Sequence, residues 1–348
     1  LDELSAGADT VVAFVGAGDI ERDAEAYAKV LRRRGADILS LDLPDLVSGR
    51  LSADCALRAN EPLARRTTLG LGGAARWYAE PANVDDIVAL LRAAAELDLR
   101  WFAVGRGSNL LVPDEGYDGL ILHLDAAHWG AVTDLGEGRF RVGGGTRLKE
   151  LCGFAAREGW KGFEFLEGIP GTIGGSLRMN AGAMGGWIFD VVESIEWLSP
   201  QGQVRAARRD SFDALYRDCP QLHGSVVLSA VLRSAGRDEP AAIRARMDEL
   251  AAQRRASQPR EASAGCVFKN PEGDKAGRLI DLSGLKGRAV GPVCVSPTHA
   301  NFLVNAGDAK AADFIELMRT VRAEVKSRQG VELQPEIVAL GREWKDLL

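Results

Sequence analysis

A glycine-rich stretch at residues 166–182, LEGIPGTIGGSLRMNAG, constrains the fold more than any other part of the chain. It holds five glycines and one proline among apolar residues. Glycine accepts positive φ and has no side chain, so a backbone built from it can press directly against a ligand. The run at 169–175 is too rich in glycine for a stable helix interior and too apolar for a solvated loop. Taken alone, it is equally compatible with a buried tight turn between two strands.

Two other segments, far away along the chain, have the same character. Residues 104–111 read VGRGSNLL and residues 142–146 read VGGGT, and each includes a turn that follows a β-like apolar run. The backbone amides of residues 105–109, together with the Ser108 hydroxyl and the Asn109 amide, form a good pyrophosphate nest. Three glycine-lined turns therefore predict one large phosphate-bearing ligand wrapped by the first half of the chain.

Composition and charge limit the class of protein. At 348 residues the chain can form two or three domains, each with its own core. A net charge of -6 disfavours a nucleic-acid partner but still allows a nucleotide ligand held by local nests and single arginines. The chain shows no membrane-spanning run, no signal-peptide pattern, no paired cysteine spacing and no metal-ligand spacing among its histidines. We therefore expect a cytoplasmic protein without a metal, and, because it starts at Leu1, a piece of a longer polypeptide.

The order of patterns along the chain predicts a mixed protein of helices and strands. Residues 10–34 resemble a dinucleotide-binding start but lack its third glycine, so a plain strand–turn–helix is favoured. Residues 42–66 are irregular and polar, as is typical of a linker. Asn83 is placed to cap a helix at 83–97. Further helices are predicted at 148–158, 241–255, 275–282 and 309–329, and strands at 100–104, 120–124, 139–142, 191–198, 226–232, 290–295, 301–304 and 331–340.

Three residues could carry chemistry, and each has a plain structural alternative. Cys266 could donate a proton from its thiol, but most free cysteines are small buried hydrophobes. Glu336 lies in an apolar strand, where burial near a ligand would suit acid–base work, whereas an isolated carboxylate is often ion-paired. Arg217 could stabilise an anionic intermediate or form a surface salt bridge. Taken singly, none of the three favours function over its alternative.

Ten motifs in a fixed order resemble those of the UDP-N-acetylenolpyruvoylglucosamine reductase family. They are TTLGLGGAA, VGRGSNLLV, VGGGT, EGIPGTIGGSLRMNAGA, YR, SAGCVFKNP, AGRLID, LKG, HANFLVN and QPE, and they lie between residues 67 and 341. The resemblance implies an α+β protein with a vanillyl-alcohol-oxidase-type, PCMH-like FAD-binding fold in two lobes and a separate α+β substrate-binding domain. It places the first lobe at 67–125 with 331–342 returning to it, the second lobe at 126–235, and the substrate-binding domain at 236–330.

The stretch before these motifs resembles a different family. Residues 6–31 are similar to the C-terminal tail of UDP-N-acetylmuramate–L-alanine ligase, through a V-x-x-x-G-A-G-D-I turn. This second resemblance implies a ligase-tail-like segment at 1–45, a linker at 46–66, and a natural polypeptide that continues upstream as a ligase.

The first resemblance also implies a set of site residues. FAD is expected to bind noncovalently, with NADPH as co-substrate and a nucleotide sugar as the other small-molecule partner. The implied catalytic residues are Cys266 as proton donor, with Arg217 and Glu336 polarising the substrate carboxylate. The implied FAD-binding residues are Gly105, Arg106, Gly107, Ser108, Asn109, Leu110, Gly143, Gly144, Gly145, Thr146, Ile169, Pro170, Gly171, Thr172, Gly174, Gly175, Asn180 and Gly182. The implied substrate-binding residues are Lys269, Asn270, Arg278, His299 and Asn301.

The implied reaction has two halves. NADPH reduces the flavin, and the enolpyruvyl ether of UDP-N-acetylglucosamine then takes the hydride, which gives UDP-N-acetylmuramate for peptidoglycan synthesis. The chain departs from the family at one central position, because the best-known members have serine where it has Cys266. A thiol is more acidic than a hydroxyl, so we expect activity to fall more steeply at alkaline pH than in a serine enzyme. Two alternatives stay open: a flavin oxidase of the same fold that uses O₂, which the C-terminal motifs disfavour, and a ligase-fused binding module without turnover.

Overall fold

The computed structural model describes residues 42–348, so the predicted N-terminal strand–turn–helix and most of the ligase-like segment lie outside the described residues. The described residues fall into two units that meet in the sequence between Gly49 and Arg50. The first unit contributes helix α1 (Leu43–Val47) to the described part of the chain. The second unit carries three larger sheets, each with an apolar core.

The first lobe is built on a four-stranded sheet. Its strands are β1 (Ala56–Pro62), β2 (Ala74–Glu80), β3 (Trp101–Val104) and β5 (Tyr117–His123), in the order β1-β2-β5-β3. Strand β1 is antiparallel to β2, whereas β2, β5 and β3 are parallel. Helix α2 (Val84–Glu96) begins where the sequence predicts, because Asn83 accepts the N–H of Asp86 at 2.9 Å. The short strand β4 (Leu110–Leu111) pairs in parallel with β17 (Val338–Ala339), which brings the C-terminal segment alongside it.

Strand β1 corrects part of the predicted linker. The sequence predicts an irregular connection at 46–66, but residues 56–62 form the edge strand of the first sheet. Arg58, Ala59 and Asn60 are exposed, and β2 is the strand that pairs with β1. An edge strand that is largely exposed needs few apolar residues, so its sequence lacks the pattern that marks a buried strand.

The second lobe is built on a five-stranded antiparallel sheet. Its strands are β6 (Val132–Asp134), β7 (Arg139–Gly143), β10 (Val192–Leu198), β11 (Val204–Arg208) and β12 (Val226–Arg233), in the order β11-β10-β12-β7-β6. The nearby helices in the chain are α3 (Ala126–Trp129), α4 (Leu148–Arg157), α5 (Ile173–Arg178) and α6 (Pro240–Ser257), and strands β8 (Gly182–Ala183) and β9 (Gly186–Trp187) form a small hairpin. Ile243 and Met247 of α6 pack into the core of this lobe with Phe140 and Ile195. Helix α6 therefore packs with the second lobe, although the sequence predicts a domain boundary before it, at residue 236.

Helix α5 corrects the interpretation of the glycine-rich stretch. The sequence predicts a turn that is too rich in glycine for a helix, but Ile173–Arg178 is helical. Gly174 and Gly175 lie in its first turn, where the N–H groups need no acceptor within the helix. Ile173 and Leu177 are fully buried, so tertiary packing supports a short helix that intrinsic propensity disfavours.

The third sheet is antiparallel, in the order β13-β16-β15-β14. Its strands are β13 (Ala262–Cys266), β14 (Ala289–Val290), β15 (Val293–Val295) and β16 (Phe302–Asn305). Helices α7 (Ala276–Leu282) and α8 (Ala311–Gln329) share its core, and helix α9 (Trp344–Leu347) packs at its margin. The single strand predicted at 290–295 is in fact part of two strands, because Gly291 turns the chain between them with φ 52°. The strand predicted at 331–340 forms a regular ladder only at β17.

Candidate active site

The three glycine-rich segments singled out in the sequence lie against one another. The Gly174 N–H donates to the Gly144 carbonyl at 2.9 Å, which joins the second segment to the third. The Ser108 hydroxyl donates to the Pro170 carbonyl at 2.5 Å, which joins the first to the third. The chain thus gathers into one place three turns that are separated by many residues in sequence.

Close approach of protein backbone, rather than contact with a ligand, accounts for glycine at several of these positions. A Cβ at Gly144 would lie 2.1 Å from the Val227 carbonyl oxygen. A Cβ at Gly107 would lie 2.5 Å from the Arg66 carbonyl oxygen, and Gly107 also has φ +58°, which an L side chain rarely adopts. The glycines therefore let the segments pack tightly, and that packing presents their remaining amides on a shared surface.

The first turn offers a row of free backbone donors. Within residues 42–348, the N–H groups of residues 106–109 meet no protein acceptor. Consecutive free amides of this kind form a concavity that binds anions such as a diphosphate. Close to the third turn, the Oδ1 atom of Asn180 is buried without a partner in the described chain, while its Nδ2 donates to the Leu215 carbonyl at 2.9 Å. This row of free amides and the partnerless Asn180 Oδ1 fit a large polar cofactor of the FAD type.

Side chains of the predicted cofactor residues differ in what they can contribute. Leu110 is buried in the core of the first lobe, so only its backbone can face a ligand. The Arg106 side chain is exposed. The Asn109 side chain is committed to the protein, because its Nδ2 donates to the Glu336 carbonyl at 3.2 Å. This bond ties the nest directly to a predicted catalytic residue.

The three predicted catalytic residues come together from distant parts of the chain. The Arg217 Nε lies 2.7 Å from the Glu336 Oε1, with the Glu336 side chain 8% exposed and that of Arg217 22% exposed. The Glu336 N–H donates to the Val267 carbonyl at 2.8 Å, which places Glu336 beside Cys266 at the end of β13. Arg217 has φ 56°, a conformation that is uncommon outside glycine, and its Nη1 donates to the Gly182 carbonyl at 3.2 Å.

Burial dominates the electrostatics of this group. It raises the pKa of the Cys266 thiol to about 12, with the Glu336 charge adding to the effect and the Arg217 charge opposing it. Burial also raises the pKa of Glu336, again against the opposing charge of Arg217. This raised pKa argues against the steeper alkaline loss of activity expected from the sequence, because desolvation penalises the charged form of the thiol.

Lys269, Asn270 and Arg278, three of the predicted substrate-binding residues, have different surroundings. The positive charge of Lys269 acts on Glu336 and lowers its pKa, against the larger effect of burial. The Asn270 side chain accepts the first N–H of α7 at 3.0 Å. Arg278 of α7 has 59% of its side chain exposed, and it pairs with Asp274 one turn earlier.

Asn301 and His299 hold the polypeptide in place. Asn301 is 2% exposed; its Oδ1 accepts the Phe268 N–H at 3.0 Å and its Nδ2 donates to the Phe268 carbonyl at 2.8 Å. The Asn301 side chain also lowers the pKa of the Cys266 thiol, against the larger effect of burial. The His299 Nδ1 accepts the Asn301 N–H at 3.2 Å, and burial lowers the pKa of His299. Asn301 therefore orients the strand end that carries Cys266.

Sequence reasoning missed two further residues of the site. Arg254 is 9% exposed, its Nε has no partner within the described residues, and its charge acts on both Arg217 and Cys266. The Tyr216 hydroxyl donates to the Glu336 Oε2 at 3.3 Å. In the sequence, Arg254 is one of several basic residues at the end of a charged helix, a pattern that the helix dipole explains equally well.

The described part of the chain carries no sign of a metal site. No group of three or more His, Cys, Asp or Glu side chains within residues 42–348 could hold a metal ion. None of the helices in this range is long and apolar enough to cross a membrane. The five cysteines are all free thiols.

Comparisons with known proteins agree with this geometry. Residues 75–208 match a family model described as an FAD binding domain, and residues 258–340 match one described as the C-terminal domain of UDP-N-acetylenolpyruvoylglucosamine reductase. A UDP-N-acetylenolpyruvoylglucosamine reductase of Pelobacter propionicus is 41% identical over 82% of this chain and 96% of its own. One from Synechococcus elongatus is 38% identical over 87% of this chain and 100% of its own. The crystal structure of the Thermus caldophilus reductase superposes with a TM-score of 0.71 at 35% identity, covering 82% of this chain and 99% of that one.

Proposed function

The chain belongs to the UDP-N-acetylenolpyruvoylglucosamine reductase family, and we propose that Cys266, Arg217 and Glu336 carry out the second half of the reaction. The protein is an FAD-containing oxidoreductase of peptidoglycan precursor synthesis. It reduces the enolpyruvyl group of UDP-N-acetylglucosamine-enolpyruvate to UDP-N-acetylmuramate with NADPH. Its fold is α+β, with a two-lobed FAD-binding part of the vanillyl-alcohol-oxidase type and a substrate-binding domain.

The glycine-rich segments hold the cofactor in this proposal. When bound, FAD supplies a two-electron carrier that takes a hydride from NADPH and passes one to the methylene carbon of the enolpyruvyl group. The free amides of residues 106–109 fit its diphosphate, and Asn180 can bind a polar group of the cofactor with its orphaned Oδ1. Arg106 has the exposure needed to reach a second phosphate oxygen.

The buried ion pair of Arg217 and Glu336 beside Cys266 is the observation that carries the proposal. Addition of a hydride to the methylene carbon pushes the electron pair of the double bond onto the neighbouring carbon and into the substrate carboxylate. The Arg217 guanidinium stabilises that developing charge, and Glu336, whose Oε1 lies 2.7 Å from the Arg217 Nε, holds the guanidinium beside the substrate carboxylate. The Cys266 thiol then gives its proton to the carbon next to the carboxylate, and the sulfur regains a proton from solvent.

A raised thiol pKa is compatible with this proton transfer. The enolate is a much stronger base than a thiolate, so a thiol with a pKa of about 12 still gives up its proton to it. Burial keeps the thiol protonated before substrate binds, because loss of solvent penalises the charged form. The same burial prevents Cys266 from behaving as a nucleophile at neutral pH.

Arg254 supplies a further binding group in this proposal. The charge of Glu167 acts on the buried Arg254 guanidinium, but its Nε has no partner within the described residues, and a hydrogen bond from an anion would lower the cost of burying it. Its charge already acts on Arg217 and Cys266, so an anion held by Arg254 lies at the catalytic group. The substrate carries a carboxylate and a diphosphate, and either gives a charge-assisted hydrogen bond to arginine.

An anaerobic visible spectrum of the purified protein tests the function. The flavin band is expected to bleach with NADPH and to return when the enolpyruvyl nucleotide sugar is added. If the flavin band returns only when air is admitted, the result supports the flavin oxidase alternative. If the protein binds no flavin even after reconstitution with FAD, the result contradicts the proposal and favours the binding module without turnover.

Two further proposals concern the parent protein. We propose that the chain acts in the cytoplasm, which the five free thiols support. We also propose that residues 6–31 are the tail of a muramate–alanine ligase fused upstream, on the strength of the sequence resemblance alone. The length of the parent reading frame tests the second proposal, because a fusion needs a complete ligase in frame before Leu1.

A further inference from the structure

Two aromatic rings flank the guanidinium of Arg217. Its Cζ lies 5.6 Å from the centre of the Trp187 ring and 5.5 Å from the centre of the Tyr216 ring. The two rings also contact each other edge to face, with centroids 5.9 Å apart and planes at 73°. Both distances are within the range in which a cation is attracted to an aromatic face.

Trp187 is held at this position by the hairpin of β8 and β9. The chain reverses through Met184 and Gly185, which have φ 52° and 87°, as a tight two-residue hairpin requires. The Trp187 N–H donates to the Asp190 Oδ2 at 2.7 Å. The indole packs against Gly182, where a Cβ would be only 2.3 Å from the ring. The glycine at 182 is therefore explained by the Trp187 ring.

The hairpin supports Arg217 twice. The indole of Trp187 faces the guanidinium, and the carbonyl of Gly182, beneath that indole, accepts a hydrogen bond from Arg217 Nη1 at 3.2 Å. Glu336 fixes the guanidinium from the other side through Nε. Support of this kind matters because Arg217 has a left-handed backbone conformation, which persists only when its surroundings determine it.

We propose that Trp187 is a positioning residue of the reductive half-reaction on the substrate: it holds the Arg217 guanidinium in the orientation that stabilises the developing enolate. This inference rests on the role proposed above for Arg217. Trp187 acts through the arginine, so its loss should affect the step that develops negative charge on the substrate. It should leave hydride transfer from NADPH to the flavin unchanged, because that step does not need Arg217 to face an enolate.

The test separates the two half-reactions by anaerobic stopped-flow absorbance of the flavin. In Trp187→Leu, reoxidation of the reduced flavin by the enolpyruvyl nucleotide sugar is expected to slow by about 5- to 30-fold, the range a cation–π contact of this kind supports. Bleaching by NADPH is expected to stay within about 2-fold of the natural protein. Trp187→Phe keeps an aromatic face and should restore most of the reoxidation rate. The double variant with Arg217→Lys should be no slower than Arg217→Lys alone.

A matched control is the pair of Arg237 and Trp160, a second guanidinium stacked on an indole, with a Cζ-to-centroid distance of 3.4 Å. Trp160→Leu should leave reoxidation unchanged. The inference is overturned if Trp187→Leu slows both half-reactions equally, if Trp160→Leu has the same effect, or if Trp187→Leu raises only the substrate concentration for half-maximal rate. If Arg217→Lys does not slow reoxidation of the flavin, the proposed role of Arg217 is refuted. If Arg217→Lys slows reoxidation but Trp187→Leu does not, only the role of Trp187 is refuted.

Discussion

Replacing Cys266 by serine is expected to leave unchanged the alkaline side of the pH–rate profile for reoxidation of the flavin by substrate. Burial raises the pKa of this thiol to about 12, so only about 0.1% of it is thiolate at pH 9. An exposed thiol with a pKa near 8.5 would be about three-quarters thiolate at that pH and would have lost most of its capacity to donate a proton. The two cases differ by a factor of about four in the protonated fraction, which single-turnover rates resolve easily.

The assay measures the rate at which the enolpyruvyl nucleotide sugar reoxidises NADPH-reduced protein, without oxygen, between about pH 6 and 10. Iodoacetamide labelling with peptide-level mass spectrometry gives an independent measure of the thiol, with Cys294, which is also partly exposed, as an internal comparison. Labelling of Cys266 should remain slow across this pH range. A fall in rate with an apparent pKa near 8 to 9 that disappears in Cys266→Ser would refute the reasoning.

Three more substitutions test other parts of the site. Arg254→Met should raise the dissociation constant of the nucleotide sugar by about 10- to 100-fold without lowering the melting temperature, because it removes a buried charge whose Nε lacks a partner. The matched control Arg255→Met, at the adjacent exposed residue, should change neither quantity. A lower melting temperature with normal substrate binding in Arg254→Met would contradict this prediction. Glu336→Gln should slow reoxidation of the flavin by substrate by about 100-fold while NADPH still bleaches it, and equal slowing of both steps in stopped-flow traces would argue against the role of the carboxyl group. Gly107→Ala should lower the amount of bound FAD, measured by absorbance, and should lower the free energy of unfolding by about 1 to 3 kcal/mol more than Gly202→Ala does. Both glycines have positive φ, but only a Cβ at Gly107 would meet neighbouring backbone. Equal losses of stability in the two variants would show that backbone strain alone matters.

The sequence predicted those parts of the fold that rest on local patterns. Asn83 was recognisable as a helix cap because an acceptor side chain before an amphipathic run satisfies free N–H groups. The assembly of the glycine-rich turns was suggested by their shared composition. The grouping of Cys266 with Arg217 and Glu336 came from family resemblance, since no local pattern links residues so far apart in the chain.

The remaining features depend on tertiary contacts that leave little trace in the sequence. Helix α5 forms at glycines because Ile173 and Leu177 are buried, and strand β1 forms at an exposed edge that needs no apolar alternation. Arg254 resembles its exposed neighbours until its burial is known. The proposed role of Trp187 depends on the hairpin turn, which brings its indole onto Gly182 and beside Arg217.

The most direct test of the central claim compares the two half-reactions in Cys266→Ala by anaerobic stopped-flow. NADPH should bleach the flavin of this variant at the rate of the natural protein, because the thiol has no part in that step. Reoxidation by the enolpyruvyl nucleotide sugar should slow by about 100-fold or more, since the general acid is gone. Reoxidation at the natural rate would contradict the account and would mean that another group protonates the substrate.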